Sequence, residues 1–412
     1  MQNMHIWLIS LFDPTPIDQP IFPRFVSIAN EAVQRGYKVT HFTSTFRHNT
    51  KEHRFQSSIL YKVNESYNVF YIKSMSYKGN RSIKRFVAHT DFANKLINEL
   101  EKLKKPDVVF ISMPPITTIN KVSSWCKHNS ITVIIDIIDP WPDSFIKDVP
   151  ENYRKYARFF LRSSYNKLIK SFGNSSAITA ISKGYLNWAS NFYNKKKKVD
   201  YFYLGVDITE IQKFFQSFEG QNIKKDEDVL RLIYAGSLAS SYDIPTILKT
   251  AQILDSRYPN KTEFVITGNG PQKNIIQKAE NELGNVKYLG WVTREELMKQ
   301  YYLSDLGLIQ HKNSFTQTVT YKFFNYLGAG LPILNSLQSE MVEIIEKEEI
   351  GFNNKEGDVI TLTKNIETFL KNKKVLGEYK NNALNYSRQE GDINTVYRRL
   401  VDFLESVAFP VN

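Results

Sequence analysis

Residues 317–336, QTVTYKFFNYLGAGLPILNS, join a hydroxyl-rich loop, a short helix and a buried strand in the order that phosphate sites use. Thr318 and Thr320 are able to cap, residues 321–327 carry helical spacing, Gly328 and Gly330 end it, and LPIL is a short apolar strand. A helix entered from such a loop directs unpaired N–H groups and a partial positive charge outward, which favours a diphosphate. Lys322 stands in the first turn, where an acid is the usual choice. It reads either as a surface lysine or as a cation that serves an anion outside the helix.

Strand-like runs alternate with helical patterns on both sides of this stretch. HIWLISLF, a helix over 25–35 and YKVTHFTS come first; DVVFISM, a helix over 119–128 and ITVIIDIID follow. That alternation predicts a parallel sheet covered by helices, with strand ends at Asp13, Ser44, Met113 and Asp139 on the edge where open α/β sheets bind ligands. After a polar linker at 220–228 a second α/β unit opens: LRLIYAGSL, a helix over 244–255, then TEFVITGNG, NVKYLGWV, LGLIQH and LPILNS. Two such sheets joined by a linker predict a cleft. The domains expected are 1–205, 206–385 and a helical tail, 386–412, that crosses back to the first.

The length of 412 residues suits two domains, and 42% hydrophobic with 23% charged residues is a globular composition. A single cysteine, Cys126, excludes an internal disulfide and a cysteine metal cluster. No apolar run is long enough to span a membrane and the first ten residues lack the basic flank of a signal peptide, so a cytoplasmic location is expected. Of the net charge of +12, residues 1–200 carry +15, which leaves −3 on 201–412. The basic half calls for an acidic partner. Nucleic acid is disfavoured, because no zinc-finger spacing, RNP-like motif or recognition helix is present. An anionic membrane surface or a phosphorylated lipid fits better.

Several stretches carry chemistry. In FRHNTKEHR, 46–54, His48, Lys51 and Arg54 share a face if the segment is helical; otherwise it is a solvated loop. In IIDIIDPWPDSF, 134–145, a rigid turn projects Trp141 and Asp139, the latter either an orienting carboxylate or a turn former. Asp136 and Asp139 are three apart on a strand and point to opposite faces, so they are not a metal pair. Residues 151–170 interleave Arg154, Lys155, Arg158, Arg162, Lys167 and Lys170 with aromatic and aliphatic side chains. Such a helix lies on an anionic lipid surface or packs on the domain as an ordinary amphipathic helix. In YAGSLASSYDI, 234–244, Gly236, Ser237 and a hydroxyl-rich loop follow a strand, a second donor-rich place for phosphate.

The pattern K-x-F-x-Y-L-x-A-G-x-P-I-L-N-S, from Lys322 to Ser336, resembles the donor-site helix of retaining family-4 glycosyltransferases, in a bacterial surface-polysaccharide subgroup. The family places two glutamates there with seven residues between them; this chain has Gln317 and Asn325, both amides. The subgroup also shows F-x-H-x-x-K-x-x-R as at 46–54, an arginine like Arg24 after the first strand, YKGNRSIKRFVAH-like residues Asn80, Arg85 and His89, D-x-W-P-[DE]-S as at Asp139, and G-[ST]-L-G-x-S-Y-D-[IL] as at Gly236. Most of the family carries an arginine and a lysine where this chain has Ser237 and Tyr242.

The resemblance implies a GT-B fold, an α/β architecture of two Rossmann-like domains facing across a cleft. It implies transfer, with retention and without metal or cofactor, of a sugar from a nucleotide-diphosphate donor, UDP-linked, to a lipid-linked saccharide in capsule, O-antigen or exopolysaccharide synthesis, on the inner face of the plasma membrane. The residues so implicated are Lys322, Asp139, Gln317 and Asn325 for catalysis. Gly236, Ser237, Tyr242, Gly268, Asn269, Val292, Thr318, Thr320 and Glu340 would hold the donor; Arg24, His48, Lys51, Arg54, Arg85, His89 and Trp141 the acceptor. The paired amides and missing cations leave two alternatives open: a non-catalytic partner of the same fold, or a UDP-sugar epimerase.

Overall fold

The computed structural model describes residues 4–18, 24–80, 82–146, 149–194, 196–312 and 318–410, which divide into two compact units. The first takes Met1–Leu204 and Val396–Asn412, the second Gly205–Thr395.

The first unit is built on β1 (His5–Ile9), β2 (Lys38–Ser44), β3 (Ile59–Lys62), β4 (Tyr67–Ile72), β5 (Val108–Met113), β6 (Thr132–Ile137), β7 (Ala177–Ala180) and β8 (Lys198–Tyr201). They lie in the order β3-β4-β2-β1-β5-β6-β7-β8, parallel throughout except that β3 runs against β4. The central strands read as continuous apolar runs because helices cover both faces. Trp7 on β1 stacks on Trp125 of the Ile116–His128 helix, 5.9 Å between ring centroids, inside one core that also holds Phe42, Phe92 and Phe172. The C-terminal helix Ile393–Ala408 serves this unit through Asp402 and Glu405, both bonded to Arg35, and through the Tyr397 hydroxyl, which donates to the Leu204 carbonyl at 2.6 Å.

The second unit has β9 (Leu230–Ala235), β10 (Thr262–Thr267), β11 (Val286–Gly290), β12 (Leu306–Ile309), β13 (Ile333–Asn335) and β14 (Gly351–Asn353), all parallel, in the order β11-β10-β9-β12-β13-β14. The strand order reverses between β9 and β12, and the carboxyl edge at such a reversal is where open α/β sheets hold ligands.

Two expectations change. Residues 46–54 are not helical: Phe46 and His53 pair as an antiparallel bridge and Lys51 has φ 62°, so the segment doubles back instead of winding. The basic stretch after Glu151 is two helices, Arg154–Phe160 and Arg162–Asn174, broken at Leu161. Among the described residues no helix is long and apolar enough to cross a membrane.

Candidate functional site

At the carboxyl edge of the second sheet the loop that leaves β9 meets Lys322 of the helix Tyr321–Gly328, and the loop that leaves β10 packs on the β9 loop. Gly236, first after β9, has φ +145°, and its amide donates to the Thr267 carbonyl at 3.0 Å. Gly268, first after β10, has φ +138°, and a Cβ there would stand 1.7 Å from the Gly236 carbonyl oxygen. The two loops therefore touch backbone to backbone, which only glycine permits. Asn269 and Ser237 are exposed on the same rim; the Asn269 side chain accepts from the Gly270 amide at 2.9 Å, and the Ser237 hydroxyl accepts from Ala239 at 3.3 Å. Val292, half-buried, follows exposed Trp291 after β11.

Thr320 is the residue that precedes the helix, but its side chain makes no capping bond, and its buried Oγ1 has no partner among the described residues. Thr318 lies half-buried in the preceding turn. Lys322 does not point to solvent. The residue is half-buried, yet its Nζ is fully enclosed, 3.8 Å from the Tyr234 ring centroid and 4.3 Å from that of Tyr242, with no hydrogen-bond partner among the described residues. A Cβ on Gly236 would come within 2.7 Å of its Cε, so the glycine leaves the room the lysine occupies. Burial pushes the Lys322 amine down to about 7. Tyr242 packs on His311 at 4.6 Å, and burial, reinforced by Lys322, pushes that imidazole down to about 3. Asn325 sits half-buried on the same helix, Glu340 half-buried in the first turn of the helix after β13, and Gln317 lies outside the described residues.

The first unit gathers a second group on the carboxyl edge of its sheet. Phe12, after β1, has His48 at 5.2 Å and His89 at 5.4 Å between ring centroids. The Arg85 guanidinium lies over Phe12 at 5.4 Å and over Trp141 at 5.0 Å. His48 Nδ1 is 2.6 Å from the Tyr77 hydroxyl. Lys51 Nζ reaches the His48 carbonyl and the Asn80 side chain, each at 2.5 Å. Burial pushes the imidazoles of His48 and His89 down to about 4 and about 3, with nearby Lys51 and Arg85 adding to the effect, so both are neutral near pH 7. His89 Nε2 is buried with no partner among the described residues. Asp139 accepts from Trp141 Nε1 at 2.9 Å and from the Ser144 hydroxyl at 2.5 Å, so the carboxylate fixes the indole, while burial raises its carboxyl.

Two expected members do not join this group. Arg24 is 3% exposed and forks onto Asp136 of β6, Nε to Oδ2 at 2.9 Å and Nη2 to Oδ1 at 3.0 Å, with Nη1 on the Phe202 carbonyl at 3.0 Å. Every donor face of the guanidinium is thus turned inward, to the sheet rather than to a ligand. Arg54 likewise grips Asp18, Nη2 to Oδ2 at 2.6 Å, and donates to the Ser44 carbonyl at 3.1 Å. Its turn away from His48 follows from the hairpin-like course of 46–54. Sequence reasoning passed over Tyr234, which reads as an ordinary strand residue, and took Asp13 only as a strand end, whereas burial lifts its carboxyl to about 7 against the pull of Arg24. A cavity of about 430 Å³ lined by Lys225, Asp305, Phe369 and Lys380 opens at the amino edge of the second sheet and holds none of the expected residues.

Residues 215–388 match the family model described as Glycosyl transferases group 1. A stretch of 109 residues is 28% identical to the UDP-glycosyltransferase TURAN of Arabidopsis thaliana, covering 25% of this chain and 23% of that protein. The chain thus spans about a quarter of the curated relative it matches. Among solved structures, sucrose-phosphate synthase from Thermosynechococcus elongatus superposes with a TM-score of 0.68 at 12% identity, covering 98% of this chain and 99% of that one. HepE of Anabaena in complex with UDP-glucose superposes with a TM-score of 0.62 at 13% identity, covering 98% and 100%. The chain has the GT-B fold, and the stretch that resembles group 1 glycosyl transferases, residues 215–388, lies within its second unit.

Proposed function

We propose that the protein is a retaining, metal-independent glycosyltransferase that moves a sugar from a UDP-linked donor to a lipid-linked saccharide in surface-polysaccharide synthesis, working at the inner face of the plasma membrane. The observation that carries the reading is the convergence, within the stretch that resembles group 1 glycosyl transferases, of the Gly236 and Gly268 loops on the start of the Tyr321–Gly328 helix. The amides at the helix start, the Thr320 hydroxyl, which has no partner among the described residues, Ser237 and Lys322 would meet the charge that forms on a departing diphosphate. The family's two carboxylate positions are amides, so Asn325 and Gln317 would bind sugar or ribose hydroxyls without adding charge. Uridine is favoured because the relative TURAN is named a UDP-glycosyltransferase and HepE was solved with UDP-glucose.

In the first unit, neutral His48 and His89, with Arg85 flat against Phe12 and Trp141, offer hydrogen bonds and aromatic faces suited to a saccharide. Lipid attachment is supported by the Arg154–Phe160 helix, where Tyr156, Phe159 and Phe160 are 54%, 69% and 82% exposed beside Arg154, Lys155 and Arg158. Each basic residue near an anionic bilayer adds on the order of 1 kcal/mol, enough in sum for reversible docking.

The test is a panel of nucleotide sugars incubated with and without lipid-linked saccharide. Acceptor-dependent transfer with retained anomeric configuration is the expected result. An altered sugar nucleotide without acceptor would instead make the protein an epimerase. Binding without turnover would favour a non-catalytic partner, a reading to which the sheltered Lys322 and the absence of cations at Ser237 and Tyr242 lend weight.

A further inference from the structure

An enclosed amine with no hydrogen-bond partner among the described residues, held between two aromatic rings beneath the Gly236 loop, is a costly arrangement for a group that only fills space. We propose that Tyr234 and Tyr242 are positioning residues that keep the Lys322 amine dry and unpaired beneath Gly236, so that a diphosphate entering the site draws in a proton along with its own charge. This inference rests on the nucleotide-diphosphate reading given above.

Both rings are held by groups other than the lysine. The Tyr234 hydroxyl donates to the Ser237 carbonyl at 2.6 Å, tying the ring to the loop it supports. Tyr242 is bridged through its main chain to His311, its ring lies 4.6 Å from that imidazole, and its carbonyl accepts from Gln272 Nε2 at 3.0 Å. The cage therefore keeps its shape whether or not the amine is in it. The titratable groups that face the amine are Tyr234 on β9, Tyr242 in the following loop and His311 after β12; Tyr326, on the lysine's own helix, accepts from the Ala235 amide at 2.9 Å. Burial raises all three tyrosine hydroxyls and holds His311 near 3, which leaves Lys322 as the one member of the cage that titrates around neutrality. Its midpoint of about 7 has burial as its cause. An ammonium on a ring face keeps part of the stabilisation that water would supply, and a diphosphate would supply more.

The experiment is calorimetric titration of UDP into the full chain at pH 8 in two buffers of different ionisation enthalpy. At that pH free UDP has no proton left to lose, so uptake reports the protein. An amine with a midpoint of about 7 is only about a tenth protonated at pH 8, and pairing with diphosphate fills it, so the expected uptake is about 0.9 proton per UDP. Lys322→Met should abolish the uptake, Tyr242→Phe should keep it, and Tyr242→Leu, which admits water to the amine, should cut it below about 0.2. Uptake that survives Tyr242→Leu unchanged, or is absent from the unaltered protein, overturns the inference while leaving UDP binding in place. A ¹⁵N NMR titration of the lysine Nζ groups without ligand reads the cage by itself. A Lys322 signal, assigned by its loss in Lys322→Met, should titrate near 7, and a midpoint above about 10 would refute the caged amine. Failure of UDP to bind at all sinks the nucleotide reading and this inference together.

Discussion

Arg24→Met separates a structural role for this arginine from the acceptor role that its place after the first strand suggests. The guanidinium is 3% exposed and its partner Asp136 0% exposed. It donates two bonds to the carboxylate and one to the Phe202 carbonyl, and the Thr179 hydroxyl supplies the carboxylate's remaining bond at 2.6 Å. Methionine retains much of the volume but leaves Asp136 charged and buried with Thr179 alone. Stripping one partner from a buried pair costs about 3–5 kcal/mol, whereas replacing both by apolar groups is often close to neutral. Arg24→Met should therefore destabilise the first unit by about 3–5 kcal/mol, and Arg24→Met/Asp136→Leu should recover most of that loss. Denaturant unfolding followed by tryptophan fluorescence reads the right part of the molecule, since Trp7, Trp125, Trp141 and Trp188 lie in the first unit and only Trp291 in the second. UDP affinity, which the proposed function places in the second unit, should not change in protein still folded. Unaltered stability with lost transfer would refute this reasoning and return Arg24 to the acceptor.

Three further outcomes are expected. Gly268→Ala drives a Cβ to 1.7 Å from a backbone oxygen at φ +138°; neither atom can yield cheaply, so a thermal melt should show a loss on the order of 3 kcal/mol, and UDP affinity should fall with it. Asp13→Asn tests a pH effect. Its folded carboxyl titrates near 7, above the ordinary 3.8, so the native carboxylate lowers stability progressively as pH rises from about 4 to 7. The variant should nearly match the parent in denaturant melts at pH 4 and exceed it by on the order of 4 kcal/mol at pH 8; equal stability at both would dispose of the raised carboxyl. Replacing Phe159 and Phe160, the most exposed rings of the Arg154–Phe160 helix, by serine should weaken sedimentation with vesicles containing anionic lipid, with no change in melting temperature.

The parts of the fold that sequence reveals are those whose chemistry is local. β1, β5, β6, β9 and β12 are buried runs with few polar interruptions, and each stands out as an apolar block between helical patterns. The hairpin of β3 and β4 escapes notice because ILYK is exposed along its whole length and carries no burial pattern, and β7 and β8 are only four residues each. The Gly236 and Gly268 loops are legible as glycines after strands. What links them is not: Lys322 meets Tyr234 only because the sheet order reverses between β9 and β12, which brings together positions 88 residues apart. Arg24 is the converse case, since a lone arginine after a first strand looks free until Asp136, 112 residues away, is found beneath it.

The central claim is that the carboxyl edge of the second sheet holds a nucleoside diphosphate sugar and gives up its sugar there. Incubating the protein with UDP-sugars and a lipid-linked saccharide, and following release of UDP, tests it most directly. The account predicts UDP release that depends on the acceptor and drops at least tenfold in Lys322→Met, a change of about 1.4 kcal/mol or more in the barrier. UDP release from Lys322→Met at the rate of the unaltered protein, or no release with any nucleotide sugar, would contradict it.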